Sequence, residues 1–176
     1  ILPTLCWDEP IVGYTQKDNV FAVLSLTLSR YGIIQYSLGD LLSEQLLVAT
    51  AQRLQECIGD QDIVARMGEN KFGILLSTIQ DLNQVKETAE RIHQEISIPF
   101  QLNGRVVSSN CYIGMVLSTM GYEQPKDLLR AADTAMYYAK LEGIGSSEVF
   151  HPSMQERAIE RLELETDLQQ AIKYET

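Results

Sequence analysis

Histidine, cysteine and basic charge are all scarce in this sequence, and each scarcity excludes something. His93 and His151 are the two histidines. They are too few for a histidine-based metal cluster, and the ordinary role of each is surface or helix-face packing. Cys6, Cys57 and Cys111 are odd in number and widely spaced. That is neither a disulfide framework nor a metal-binding pattern, and it points to a reducing, cytoplasmic location. Lys and Arg total 14 against 24 Asp and Glu, for a formal net charge of -10 and a pI near 4.6. The basic residues are scattered, so neither nucleic acid nor an anionic membrane surface is an expected partner. No apolar run approaches the roughly 18 residues that span a bilayer, and the start of the chain lacks a basic-then-apolar leader, so no direct membrane insertion is expected. What is present is 176 residues, 45% hydrophobic and 22% charged, enough for one domain with a real core.

Residues 1–19 carry two prolines, a glycine and no sustained period, and read as an irregular opening segment. "VFAVLSLTL" (20–28) places Phe21, Val23, Ser25 and Thr27 on one face and Ala22, Leu24, Leu26 and Leu28 on the other, as a buried central strand does. From 41 to 58, Leu47, Ala51, Leu54 and Ile58 recur at helical spacing. "DIVARM" (62–67) and "KFGILLS" (71–77) read as two strands joined by a tight turn at Gly68 to Asn70, where glycine and asparagine tolerate positive φ.

The clearest helix is 81–98, with Leu82, Val85, Ala89, Ile92 and Ile96 on one stripe, Asp81 as N-cap and Gln84 three residues on. Residues 100–119 read as a hairpin through Asn103-Gly104 into a long strand. A helix over 125–143 opens on Pro125, stops at Gly143 and buries Leu128, Ala132, Ala135 and Ala139. A short strand "SEVF" and a charged helix, 153–174, complete the chain. The last helix reads either as a connector or as a solvated terminal helix. The order of elements predicts an α/β (α+β) architecture, a mostly antiparallel sheet covered by helices.

Four segments in order carry a family resemblance: "SLGDLLSEQLL", "DIVARMGENKFGILL", "CYIGMVLS" and "AADTAMYYAKLEG". Together they resemble the GGDEF domain of bacterial diguanylate cyclases, over about residues 20–150. The resemblance implies a nucleotidyl-cyclase palm-like fold over 20–152. Residues 153–176 are similar to the linker helix that leads toward an EAL domain in composite GGDEF–EAL signalling proteins. The family's usual Leu-Thr-Gly-Leu opening is not visible in 1–19.

Family members join two GTP molecules into cyclic di-GMP, chemistry that needs divalent metal held by carboxylates. The positions that resemble the family's acidic ones hold Thr27, Ser29, Asn70 and Lys71. Glu69 is adjacent, but a one-residue shift on a hairpin turns a side chain to the opposite face. It also stands where the family has a second glycine, so it adds bulk and like charge against phosphate. Of the phosphate contacts Lys140 alone matches, while Gly32 and Ile144 stand at basic positions. Gln35 and Glu44 resemble the guanine-reading residues, although each is equally an ordinary surface residue. In the segment resembling the product-inhibition site, Asp62 matches and Gly59 replaces the arginine. Arg66 is retained, with a plain role covering the sheet edge equally open.

The resemblance therefore implies a catalytically inactive, degenerate GGDEF-like regulatory module in cyclic di-GMP signalling, with no catalytic residue, metal or other cofactor. The expected roles are dimerisation, domain positioning or partner docking. The expected partners are an adjoining EAL domain of the parent chain, a second copy in a homodimer, or another protein. The alternative is a weak GTP-binding sensor, using Gln35, Glu44 and Lys140, that modulates an attached EAL phosphodiesterase or cyclic di-GMP receptor domain.

Overall fold

Strand β1 (Ala22–Leu28) has seven buried residues and lies at the centre of a five-stranded sheet, because both of its faces are apolar enough to be covered. The computed structural model describes residues 19–174, so the expectation for 1–18, and Cys6 with it, lies outside the described residues. The elements that follow are α1 (Tyr31–Cys57), β2 (Ile63–Arg66), β3 (Lys71–Leu76), α2 (Leu82–Ser97), β4 (Phe100–Leu102), β5 (Arg105–Val107), β6 (Cys111–Leu117), α3 (Pro125–Glu142), β7 (Ser147–Val149) and α4 (Pro152–Tyr174). The sheet order is β2-β3-β1-β6-β7. Every neighbouring pair is antiparallel except β6 and β7, which run parallel.

The alternation along β1 sorts the core into two layers. Ala22, Leu24, Leu26 and Leu28 pack with Leu47, Leu54, Val85 and Ile92 of α1 and α2. Phe21 and Val23 pack with Leu128, Ala132 and Ala135 of α3 on the opposite face. That second layer is thin. A Cβ added to Gly114 of β6 would fall 2.0 Å from the Ala132 carbonyl oxygen and 2.2 Å from the Met136 nitrogen, so only glycine lets α3 approach this closely.

Helix α2 opens as its sequence predicts. Gln84 donates its backbone N–H to Asp81 Oδ1 at 3.0 Å, while Gln84 Oε1 accepts from the Gln80 N–H at 2.8 Å, one residue earlier than a standard capping box. Its C-terminal carbonyls are capped from α1: Arg53 donates to the Glu95 and Pro99 oxygens at 2.8 and 3.2 Å and stacks 3.7 Å from the Phe100 ring centroid.

Three local expectations are corrected or extended. Helix α1 includes a segment from Tyr31 that the sequence reading does not anticipate; at Gly39 (φ 83, ψ 174) the backbone leaves helical geometry, and the helical run beyond it agrees with the helix expected from 41. Ser43 Oγ donates to the Gly39 and Asp40 carbonyls, both at 3.0 Å, at the kink. Gly68 and Asn70 do not adopt positive φ, which among the described residues occurs at Arg30, Asn103 and five other glycines. The hairpin tip is held by hydrogen bonds instead, from Met67 N–H to the Lys71 oxygen (2.8 Å) and from Arg66 to the Gly68 and Glu69 oxygens (both 3.0 Å). Asn103 (φ 48) and Gly104 (φ 76) do turn a hairpin, but β4 and β5 form a separate two-stranded sheet. The long strand β6 starts afresh at Cys111.

Candidate functional site

The register of the sheet sets three chemistry-bearing residues side by side. Thr27 on β1 is opposite Lys71 on β3 and Tyr112 on β6. Strand alternation turns all three toward the face that α3 covers, and the neighbouring row is Gly73, Ser25 and Gly114. Helix α3 completes the group with Asp133. Its Oδ2 accepts from Lys71 Nζ at 2.6 Å and its Oδ1 from Ser25 Oγ at 2.5 Å. The Lys71 and Asp133 side chains are 30% and 38% exposed, so solvent reaches the pair.

The Thr27, Ser29 and Asn70 side chains are committed to the backbone. Thr27 Oγ1 donates to the Asn70 carbonyl at 3.3 Å, and Asn70 Nδ2 to the Leu28 carbonyl at 3.4 Å. Ser29 Oγ accepts from the Asn110 N–H at 3.1 Å, and Ser109 Oγ donates to the Ser29 carbonyl. Thr27 and Ser29 are buried, while Glu69 is exposed at the tip.

On the opposite face of the hairpin, Arg66 Nη1 lies 2.7 Å from Glu44 Oε1 of α1. With its bonds to the tip carbonyls, this guanidinium joins β2, the hairpin loop and α1 in one contact. Beside it is a cavity of about 520 Å³, with a floor of Leu47, Val48, Ala51 and Phe72 and a rim of Glu44, Arg66 and two glutamines. Gln35 is not on it. Its Nε2 contacts Asp40 Oδ1 at 3.4 Å across the kink in α1. Lys140 is exposed on α3, seven residues past Asp133 and so about 10 Å further along nearly the same helix face. The structure thus brings Thr27, Asn70 and Lys71 together and puts Glu44 with Arg66, while no hydrogen bond or ion pair joins Gln35 or Lys140 to either group.

Asp62 is used as a turn fastener. It accepts from the Gly59 N–H at 2.8 Å and from the Ser77 N–H at 2.9 Å. Away from the hairpin, His93 Nδ1 lies 3.5 Å from Cys111 Sγ, and His93 Nε2 is buried without a partner. Burial, partly opposed by Glu90, holds the His93 imidazole below its ordinary value. Burial also pushes the Cys111 thiol up to about 12, with Cys57 adding to the shift, so Cys111 is an inert core thiol.

Asp133 and Ser25 are the site residues that sequence reasoning missed; Arg66 and Glu44 are each named by it, and only their pairing is unforeseen. Asp133 lies inside the segment "AADTAMYYAKLEG", and its position on an otherwise alanine-rich helix face is the signal that marks it.

A family model described as the GGDEF domain of diguanylate cyclases matches residues 11–146. The chain belongs to the GGDEF family. Among curated relatives it is 32% identical over 166 residues to the bifunctional diguanylate cyclase/cyclic di-GMP phosphodiesterase MucR of Pseudomonas aeruginosa, covering 94% of this chain and 24% of that protein. It is 31% identical over 156 residues to the cyclic di-GMP phosphodiesterase PdeR of Escherichia coli, covering 89% and 23%. The chain therefore spans about a quarter of the length of these relatives. Among solved structures, the GGDEF domain of YfiN (TpbB) from Pseudomonas aeruginosa superposes with a TM-score of 0.79 at 28% identity, covering 85% of this chain and 97% of that one. An EAL/GGDEF domain protein from M. capsulatus gives 0.75 at 33% identity, covering 81% and 94%. The GGDEF fold and a setting in cyclic di-GMP signalling follow. No helix among the described residues is long and apolar enough to cross a membrane.

Proposed function

We propose that this GGDEF domain is catalytically inactive and serves cyclic di-GMP signalling as a regulatory module, through dimerisation, positioning of an adjoining EAL domain or docking of a protein partner. The observation that carries this reading is the Lys71 ammonium, 2.6 Å from Asp133 and opposite Thr27. Joining two nucleoside triphosphates requires negative ligands for a metal that neutralises phosphate charge, and a lysine in the signature hairpin supplies the wrong sign. Fold and function separate readily, so an intact hairpin is compatible with lost chemistry. The test is incubation of the protein with GTP and Mg²⁺ or Mn²⁺. No cyclic di-GMP is expected, and its production would reject the proposal.

The cavity rimmed by Glu44, with Gln35 and Lys140 lying outside it, is the observation behind a second reading, a domain that binds GTP weakly through Gln35, Glu44 and Lys140 and biases an attached EAL phosphodiesterase or receptor domain. Calorimetry with GTP separates the two. Heat that Glu44→Ala abolishes supports the sensor, and unchanged affinity in that variant counts against it.

A further inference from the structure

The chemistry of the family implies a divalent metal, and the residues around the end of β1 do not fit one. Mg²⁺ and Mn²⁺ need several oxygen ligands, with carboxylates supplying the charge. The carboxylate here is Asp133, and both its oxygens are taken, one by Lys71 Nζ and the other by Ser25 Oγ. The Thr27 and Ser29 hydroxyls are turned to the backbone. Among the described residues no group of three His, Cys, Asp or Glu is placed to hold a metal.

We infer that Lys71 is the resident cation of this site: its ammonium neutralises Asp133 from within the chain, excludes divalent metal, and conceals a metal site that one charge reversal opens. Lys71 and Asp133 lie 62 residues apart, on β3 and α3, and meet only because the fold brings the hairpin under the helix. A dication approaching Asp133 would meet a like charge 2.6 Å from the oxygen it needs. Both side chains are open to solvent, so the exclusion is one of charge and not of access. With glutamate at position 71, two carboxylates would face each other beside the Ser25 hydroxyl, an arrangement stabilised by a cation between them.

The inference rests on the non-catalytic reading for its setting, but its test reads metal binding instead of product. Mn²⁺ is titrated into the whole protein, and paramagnetic broadening of the Ser25 and Asp133 amides is followed by NMR. Wild type is expected to show no selective broadening there. Lys71→Glu is expected to bind Mn²⁺ ~tenfold or more tightly than wild type at these amides, and Lys71→Glu with Asp133→Asn to lose that gain. Selective broadening in wild type overturns the inference, as does a folded Lys71→Glu that gains nothing. Should Lys71→Glu not fold, Lys71→Gln frees Asp133 without adding charge and is expected to show weaker Mn²⁺ broadening at the same amides; its absence overturns the inference. Cyclic di-GMP made by wild type would fail the earlier reading, whereas Mn²⁺ bound at Asp133 of wild type without product fails this inference alone.

Discussion

Lys71 and Asp133 join the signature hairpin to helix α3 through a single 2.6 Å contact between ammonium and carboxylate. Arg66 and Glu44 do the same toward α1 on the other face of the sheet, at 2.7 Å. The hairpin is thus fastened on both sides by side chains of opposite sign.

The Lys71–Asp133 pair is partly exposed, so its contribution to stability is small despite the short distance. A double-mutant cycle with Lys71→Ala and Asp133→Ala is expected to give a coupling of about 0.5–1 kcal/mol by urea unfolding at low ionic strength. The same cycle in 1 M NaCl should give clearly less, since solvent-exposed charges are screened.

Arg66→Ala removes an ion pair and two hydrogen bonds to tip carbonyls together. A loss of about 1–2 kcal/mol is expected. Amide exchange at 68–71 should accelerate more than exchange in the centre of β1, because the tip loses its tether while the core is untouched.

Gly114→Ala places a methyl group inside the van der Waals radii of the α3 backbone, which cannot swing aside as a flexible side chain would. The expected cost is about 3 kcal/mol or more, read as a lowered urea midpoint or as failure to accumulate folded protein. Gly32→Ala meets nothing within 4 Å and should be well tolerated.

His93 gives the fold a defined pH response. Its imidazole is held below the ordinary value of 6.5, so the unfolded chain takes up a proton before the folded one does. The stability tied to this group is complete above pH 6.5 and is lost as pH falls toward the lower folded value. Chemical denaturation from pH 7.5 to 5 should show a steeper decline in wild type than in His93→Leu, and parallel declines would contradict this.

Much of the fold was legible because periodicity reports burial. The stripe Val85, Ala89, Ile92 and Ile96 is buried as the spacing predicts, and Asn103-Gly104 turns a hairpin at the expected place. The start of α1 was not legible. Gly39 does interrupt the helical backbone, and the short segment before it is held by burying Tyr31 and Ile34, a two-residue stripe too brief to announce a helix in the sequence. The site was half legible for a related reason. Resemblance marked Thr27, Asn70 and Lys71, but what a lysine does in that position depends on a carboxylate 62 residues away. Pairing across such a separation leaves no local pattern. Arg66, read as able to cover a sheet edge, reaches Glu44 on α1 by the same kind of long-range contact.

Helix α4 has no buried residue along its 23 positions, yet its root is fixed to α3: Tyr138 Oη donates to the Met154 carbonyl at 3.0 Å, and the Arg157 guanidinium lies 5.7 Å from the Tyr138 ring centroid. A rod of that length reaches about 35 Å from its base. Tilting α3 by about ten degrees would swing the far tip through roughly 6 Å, so a displacement too slight to notice around Asp133 becomes, by simple leverage, a movement larger than a helical turn.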